Sequence, residues 1–491
     1  MRLFVVVLAL AGNGAWAASH GTLMLSADVR GYLAPCGCNE HMRGGIAKLA
    51  HAIEAARAQG TSFFYVDGGN SLFDEHLPTP EAEVREAEQR ARTLAEIMRA
   101  LRLSARAVGS WDDARGKAFR RSLGLPDIRP GQSARLGKTP VAIAVGGSPD
   151  ELLEGARRAR DGGSALVVGL ATFSWEDAVR SASALAPSLD VVVVGHSPGD
   201  LSAEVSRQVQ QDELSIVQLA SKGRALLRLE FLLEGDARPR LLTTGESAAQ
   251  EVEALTKRLA LYASLANDPG VSSEKKVLLK KKSAELVQRR TEILARGTPE
   301  LSLGTFSLRR ISVESSLPES PRIAAMVEKH DRQVGAANVM WARQHPTPCP
   351  TAGVGEADYV GSDACASCHE EASAVFMGTP HANAYATLKE KRKQHHLECI
   401  RCHVTGWQAP GGVCDVVHIA GRTSVGCESC HGPGSLHLLN PTAANIRRRM
   451  DKRLCVSCHD PENSPHFEWE KYLPLILGPG HTAQTREAKT R

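Results

Sequence analysis

Four short segments near the C-terminus share the pattern Cys-x-x-Cys-His, the strongest chemical signal in the chain. They occupy residues 365–369, 399–403, 427–431 and 455–459. In each segment, two thiols can form thioethers with the vinyl groups of one porphyrin, and the following His can bind the iron of that porphyrin. The pattern therefore predicts four covalently attached c-type haems.

The predicted attachment and ligand residues follow directly from this pattern. The attachment residues are Cys365, Cys368, Cys399, Cys402, Cys427, Cys430, Cys455 and Cys458, and the proximal ligands are His369, His403, His431 and His459. Paired cysteines alone would also suit zinc sites or disulfides. A His directly after each of four pairs favours haem over both alternatives.

The first residues of the chain predict export. Arg2 is followed by an apolar run at 3–11 and by a small-x-small site at 15–17, an arrangement typical of a secretory signal peptide cut near Ala17. The run is too short for a stable membrane anchor, and no other stretch of 18 apolar residues exists. We therefore expect a periplasmic location, where periplasmic redox proteins or quinol-linked donors would be the partners.

Composition fits a multidomain globular protein. The chain has 491 residues, of which 42% are apolar and 23% charged, so it can bury more than one core. A formal net charge of +4 gives no reason to expect nucleic acid as a partner.

Residues 18–235 predict an α/β layered sandwich, because apolar strands alternate with helices and end in polar loops. The expected strands are 22–26, 62–66, 141–145, 165–171, 190–194, 215–220 and 225–233, and the expected helices are 46–59 and 81–101. The opening strand, helix and strand predict a βαβ unit.

The polar residues at these loop ends carry a family resemblance. They are Asp28 and Arg30, then Asn70, then Ser-Trp at 110–111, then His196. Their order and spacing resemble the calcineurin-like metallophosphoesterases of the 5′-nucleotidase branch, which hold two metals that activate water against a phosphate ester. The resemblance implies metal ligands at these positions, but Arg30, Asn70 and Ser-Trp replace ligand residues, so we expect the fold without the activity.

Four cysteines lie outside the haem motifs: Cys36, Cys38, Cys349 and Cys414. In an oxidising compartment they could form structural disulfides, for which Cys349 with Cys414 is one possible pair. Cys36 and Cys38 could instead form a remodelled metal or redox site with His41, Asp28, Asn70 and His196.

The second half of the chain divides by composition. Residues 246–296 predict a helical hairpin, and residues 297–345 predict a strand and a helix that connect the hairpin to the next domain. Residues 355–491 predict a cytochrome domain made mostly of helices and coil. Beyond the motifs, Tyr-Val-Gly at 359–361 and Gly-Pro-Gly-Ser-Leu-His at 432–437 resemble the tetrahaem cytochromes c that carry electrons in nitrifying bacteria.

The resemblance also implies distal iron ligands. It suggests His381 and His437, with His481 as the third candidate and His466 in reserve. It further implies that one haem stays open, and we expect this to be the haem of Cys399 and Cys402. His395 and His396 lie too close to that motif to reach its distal face, whereas His418 could close it.

The sequence therefore predicts a periplasmic multihaem cytochrome that transfers electrons, with an inactive phosphoesterase-like domain for docking or regulation. One alternative is an oxidoreductase that reduces a small nitrogen or sulfur oxyanion at the open haem. Another is a metal-dependent phosphohydrolase with a redox module. No catalytic residue can be assigned between them.

Overall fold

The computed structural model describes most of the chain. It covers residues 18–35, 43–74, 77–78, 80–196, 205–242, 244–267, 272–295, 300–346, 348–419, 421–460, 463–464 and 467–478. The predicted signal peptide, Cys36, Cys38 and His41, and the candidate ligands His466 and His481 lie outside these ranges. Among the described helices, none combines the length and hydropathy that a membrane span requires.

Thirteen strands form within the described residues. In chain order they are β1 (Ser19–Ser26), β2 (Ser62–Asp67), β3 (Leu103–Ala107), β4 (Asp127–Ile128), β5 (Ser133–Arg135), β6 (Val141–Gly146), β7 (Leu166–Ala171), β8 (Val191–Val194), β9 (Arg207–Gln211), β10 (Leu214–Gln218), β11 (Ala225–Leu233), β12 (Arg240–Leu241) and β13 (Thr305–Ser312). The predicted strands are confirmed to within a few residues at their ends.

Seventeen α-helices lie in the same described ranges. They are α1 (Ile46–Arg57), α2 (Glu81–Ala100), α3 (Gly116–Ser122), α4 (Pro149–Asp161), α5 (Trp175–Arg180), α6 (Ala182–Leu185), α7 (Thr244–Asn267), α8 (Ser273–Ala295), α9 (Pro321–Gln344), α10 (Ser362–Ala366), α11 (Glu370–Met377), α12 (Ala384–Glu390), α13 (Leu397–His403), α14 (Cys427–His431), α15 (Ser435–Leu439), α16 (Lys452–Val456) and α17 (Trp469–Tyr472). Helices α4 and α9 begin alike. Ser148 and Ser320 each accept a backbone N–H with the side-chain hydroxyl, and proline follows each serine.

The strands form two sheets. The first has the order β12-β13-β11-β1-β2-β3-β4, and the second has the order β5-β6-β7-β8-β10-β9. β1 and β2 pair in parallel across α1, which confirms the predicted βαβ unit. β10 and β11 follow one another in sequence but lie in different sheets, so the left-handed turn at Lys222 and Gly223 carries the chain from one sheet to the other.

The two sheets share one apolar core. Val141, Ile143 and Val145 of β6 pack into a cluster that also contains Leu23 and Leu25 of β1. The alternate β6 residues, Ala142 and Ala144, pack instead against the helices that cover the second sheet. Because side chains alternate along a strand, a continuous apolar run is the signature of a strand buried on both faces. The predicted sandwich is confirmed.

The helical hairpin also forms as expected. α7 and α8 pack against each other, and the predicted turn between them lies largely outside the described residues. The strand expected after the hairpin, β13, pairs antiparallel with β11 and so completes the first sheet.

The chain divides into two compact units. The first unit comprises the described residues within Met1–Arg30, Lys48–Glu75 and Met98–Val313. The second unit comprises the described residues within Gly31–Ala47, His76–Ile97 and Glu314–Arg491. Most of α2 therefore belongs to the second unit, although the sequence boundaries place it in the N-terminal domain. The other predicted boundaries stay predictions.

A disulfide links Cys349 to Cys414 in the second unit, which confirms the possible pair named from the sequence. The two cysteines are 65 residues apart. Closing a loop of that length stabilises the folded chain by about 4 kcal/mol, through the entropy that the unfolded chain loses. This stabilisation suits a part of the chain that has short helices and few strands.

Candidate functional site

The four Cys-x-x-Cys-His motifs lie on or beside short helices of the second unit. Helices α10, α13, α14 and α16 carry them in chain order. All eight motif cysteines are free of disulfide bonds. Their thiols are therefore available for thioether formation, as the haem interpretation requires.

Two proximal His rings are fixed by backbone carbonyls. His403 Nδ1 donates a hydrogen bond to the carbonyl oxygen of Ala384 at 2.5 Å, and His431 Nδ1 donates to that of Arg447 at 2.8 Å. A carbonyl can only accept, so Nδ1 carries a proton in both rings, and Nε2 is the nitrogen left for a metal. This tautomer is the one that binds a metal through Nε2.

The fourth proximal His is held from two sides. His459 Nδ1 lies 2.9 Å from Ser464 Oγ, and the His459 ring stacks on Phe467 with centroids 4.5 Å apart. Burial lowers the pKa of His459. The ring is therefore biased toward the neutral form that coordinates iron.

Four His rings form two facing pairs. The centroids of His369 and His437 are 6.4 Å apart with planes 21° from parallel, and those of His381 and His459 are 5.9 Å apart at 48°. Two imidazoles on opposite faces of one iron have centroids roughly 6 Å apart, since each metal–nitrogen bond is about 2 Å and each centroid lies about 1 Å beyond the nitrogen. Both pairs match this separation.

The motifs also meet in pairs. The Cys365 sulfur is hydrogen-bonded to that of Cys427, which lowers the pKa of the Cys427 thiol to about 6. The Cys402 sulfur is likewise hydrogen-bonded to the Cys458 sulfur, which lowers the pKa of the Cys458 thiol to about 6. The first motif thus lies beside the third, and the second beside the fourth.

A buried carboxylate ties the first and third motifs to the loops around them. Glu428, within the third motif, accepts backbone N–H groups from Val360, Gly361 and Gly434 at 2.7–3.1 Å. The Gly434 loop leads directly into α15, which carries His437. Sequence reasoning missed Glu428 because a Glu inside a haem motif reads as a solvent-facing residue.

The remaining described His residues near the motifs have other partners. His395 Nδ1 lies 3.2 Å from the carbonyl of Val416, and His396 Nε2 lies 3.0 Å from that of Asp331. His418 Nδ1 lies 2.8 Å from the carboxylate of Asp415. Within the described residues, no His ring faces that of His403 as His437 faces His369 and His381 faces His459.

These residues fit covalent haem. The free thiols would hold the porphyrin, His369, His403, His431 and His459 would bind iron from the proximal side, and His437 and His381 face two of these rings. The position of His481 relative to any iron lies outside the described residues.

A second polar cluster lies at the loop ends of the sandwich, where the sequence suggested a former metal site. The Asp28 carboxylate accepts the His196 backbone N–H at 3.1 Å and lies 3.0 Å from His196 Nδ1. Asn70 Nδ2 donates to Asp28 Oδ1 at 3.2 Å and to the carbonyl of His196 at 3.3 Å. The structure thus brings Asp28, Asn70 and His196 together, and they bond to one another.

Arg30 stands at the position where the resemblance seen in the sequence implied a His ligand. Its guanidinium stacks over the Trp111 ring at 4.5 Å and pairs with Asp74 at 3.5 Å. Within the described residues, no group of three or more His, Cys, Asp or Glu side chains could hold a metal ion.

A fully buried arginine beneath this cluster was not foreseen from the sequence. Arg106 of β3 lies 2.7 Å from Asp112 and 3.6 Å from both Asp67 and Asp127. Burial raises the pKa of Asp67 to about 7, although the charge of Arg106 opposes this shift. The Asp112 carboxylate also accepts the backbone N–H groups of residues 70, 71 and 72, so this network shapes the loop that carries Asn70.

Comparison with known proteins agrees with the C-terminal interpretation. Residues 364–432 match the family model described as cytochrome c554 and c-prime. Cytochrome c-554 of Nitrosomonas europaea is 33% identical over 94 residues, which cover 16% of this chain and 40% of that protein. The chain thus spans less than half of the length of this curated relative.

Solved structures similar to the chain include two nucleotidases. The 5′-nucleotidase precursor of Thermus thermophilus is 13% identical with a TM-score of 0.39, over 86% of this chain and 74% of that chain. The NAD nucleotidase of Haemophilus influenzae is 10% identical with a TM-score of 0.39, over 70% of this chain and 64% of that chain.

The family match implies covalently bound haem c in the C-terminal part of the chain. The assignment of an α/β sandwich to the residues before this part is based on the strand pairing described above. Residues 364–432 are therefore a segment of the cytochrome c554 and c-prime type.

Proposed function

We propose that this protein is a periplasmic tetrahaem c-type cytochrome that transfers electrons between redox partners. The facing His pairs carry this proposal, because two imidazoles roughly 6 Å apart fit one iron between them. The free thiols of all four motifs support it further. The periplasmic location rests on the N-terminal signal in the sequence.

Bound haem would supply reversible one-electron chemistry. The chain's own residues would hold each porphyrin by two thioethers and present a neutral imidazole to its iron. Carbonyl acceptors at Nδ1 of His403 and His431 make these imidazoles more electron-rich, which favours ferric iron. Because the ligands are fixed before electron transfer, little rearrangement accompanies it.

The paired motifs support a route between haems. Cys365 lies beside Cys427 and Cys402 beside Cys458, so the attached porphyrins would lie close within each pair. Periplasmic redox proteins or quinol-linked donors are the proposed partners.

The phosphoesterase-like sandwich is proposed as an inactive docking or regulatory module. Two features support inactivity: the Asp28 carboxylate is already engaged by His196 and Asn70, and Arg30 brings a positive charge to a former ligand position. A positive charge repels the cations that such a site would need.

A reductive titration of the purified protein tests the electron-transfer proposal. We expect uptake of four electrons per chain and full reversal on reoxidation. A protein that takes up no electrons at haem wavelengths would contradict it.

One specific observation favours a second function. Because no described His ring faces His403 as His437 faces His369, the second haem would keep an open axial position, at which a small nitrogen or sulfur oxyanion could be reduced. A high-spin ferric signal together with turnover of such an anion would favour this reductase over a simple carrier.

A further inference from the structure

A buried acidic side chain outside the cytochrome-matched residues contacts the helix of the second haem motif. Glu86 of α2 is 4% exposed. Its Oε2 accepts the backbone N–H of Leu397, the first residue of α13, at 3.2 Å. The same oxygen accepts from Asn338 Nδ2 of α9 at 2.8 Å. A carboxylate from a remote part of the sequence therefore meets the start of the helix that carries Cys399, Cys402 and His403.

The contact with Glu86 satisfies a backbone N–H donor at the start of α13. The first N–H groups of a helix have no partner inside it, and a negative charge there is favourable. His396, which precedes α13, makes no capping bond with its side chain. Glu86 supplies the missing acceptor from another helix.

Neighbouring contacts hold the same segment. Asn338 Nδ2 also donates to the carbonyl of His395 at 2.9 Å. Arg90 pairs with Glu398, one residue before Cys399. The ring of His396 lies between Glu86, at 3.7 Å from Nδ1, and the carbonyl of Asp331. Residues 395–398 are thus fixed from both α2 and α9.

We propose that Glu86 is a positioning residue for the second haem. By holding the first turn of α13, it sets the orientation in which His403 reaches the iron, and its negative charge favours the ferric state of that haem. This inference rests on the proposed function, because it needs haem at the second motif. Since α2 lies outside residues 364–432, the effect would be a property of this chain that the matched cytochrome segment does not supply.

Two variants of the full-length holoprotein test the inference. Glu86→Gln keeps an oxygen that can accept from Leu397 but removes the charge. Burial raises the pKa of Glu86, so the potentials are compared at pH 8, where the ionised carboxylate is favoured. We expect the midpoint potential of one haem to rise, while its ferric resonance signal keeps its g values. Glu86→Ala removes both, so we expect the g values of that haem to change as well. Glu96, exposed on the same helix, gives the matched controls Glu96→Gln and Glu96→Ala, which should leave all haems unchanged.

Haem content is measured first, so that a failure of the proposed function can be distinguished from a failure of the inference about Glu86. If wild-type protein holds no covalent haem at the second motif, the proposed function and this inference fall together. If haem content is complete but the Glu86 variants match the Glu96 variants, or shift every haem equally, only this inference is overturned. The Gln variant preserves side-chain shape, so it decides the matter even if Glu86→Ala fails to fold.

Discussion

The imidazole rings of His369 and His437 face each other with centroids 6.4 Å apart and planes 21° from parallel. His437 Nδ1 lies 3.1 Å from the carbonyl of Thr442, so its Nε2 is the nitrogen left for a metal. We therefore expect His437 of α15 to be the second ligand of the first haem.

His437→Ala should convert one low-spin haem into a high-spin haem, because the first iron would lose its distal nitrogen. Electron paramagnetic resonance of the ferric protein measures the change, and we expect it to amount to one haem in four. His20→Ala is the matched control, because His20 is exposed on β1 and lies outside the residues that match the cytochrome family, so this change should leave the spin populations unchanged. An unaltered low-spin population in His437→Ala would show that His437 binds no iron.

The second haem should react with external ligands in the unaltered protein. Among the described residues, the facing His pairs involve His369 with His437 and His381 with His459, and no described His ring faces His403 in this way. Adding cyanide or nitric oxide should change the spectrum by about one haem in four. A wholly low-spin ferric spectrum with no response would mean that His418, His466 or another His closes this iron, and that the protein is a carrier only.

Asp67 should make stability depend on pH. Its pKa is about 7 in the fold, against 3.8 for an ordinary Asp side chain, so the folded chain keeps a proton that the unfolded chain releases between these values. The stabilisation is complete below about pH 4 and is lost as pH rises toward 7, by an amount on the order of a few kcal/mol. The physical cause is burial of the Asp67 carboxyl, which the charge of Arg106 opposes without overcoming it.

Asp67→Asn should remove this dependence, because the amide imitates the protonated carboxyl. Urea denaturation at pH 4, 5, 6 and 7 should show wild-type stability falling relative to the variant. Asp161→Asn, a change at an exposed residue, should follow the wild type. Parallel pH profiles for wild type and Asp67→Asn would refute a raised pKa at Asp67.

Asn70→Asp alone should not produce phosphoesterase activity. Arg30 stacked on Trp111 would still occupy the site, and the Asp28 carboxylate would still be engaged by His196. A generic phosphodiester with added divalent metal is the substrate to use. Metal-dependent turnover by native protein that Asn70→Ala abolishes would show that the sandwich is an active enzyme.

Local signals made much of this architecture predictable. The haem motifs are contiguous in sequence, and the apolar runs at β6, β7 and β8 predicted those strands because burial on both faces leaves a continuous apolar pattern. The pair of Cys349 and Cys414 was one of several possibilities, and only the fold could select it.

Long-range polar contacts could not be predicted in the same way. In the sequence Arg106 looks like a surface residue, because its partners Asp67 of β2, Asp112 and Asp127 of β4 come from separate parts of the chain. In the sequence, Glu86 looks like one of many charged residues on a polar helix, because its partner Leu397 is hundreds of residues away. Buried charges are decided by partners that are remote in sequence, so periodicity alone does not reveal them.

The haem-to-protein ratio tests the central claim most directly. An alkaline pyridine spectrum of purified protein, set against protein concentration, counts the covalent haems. The account predicts a ratio of four, one for each Cys-x-x-Cys-His motif. A ratio of two or fewer would contradict it.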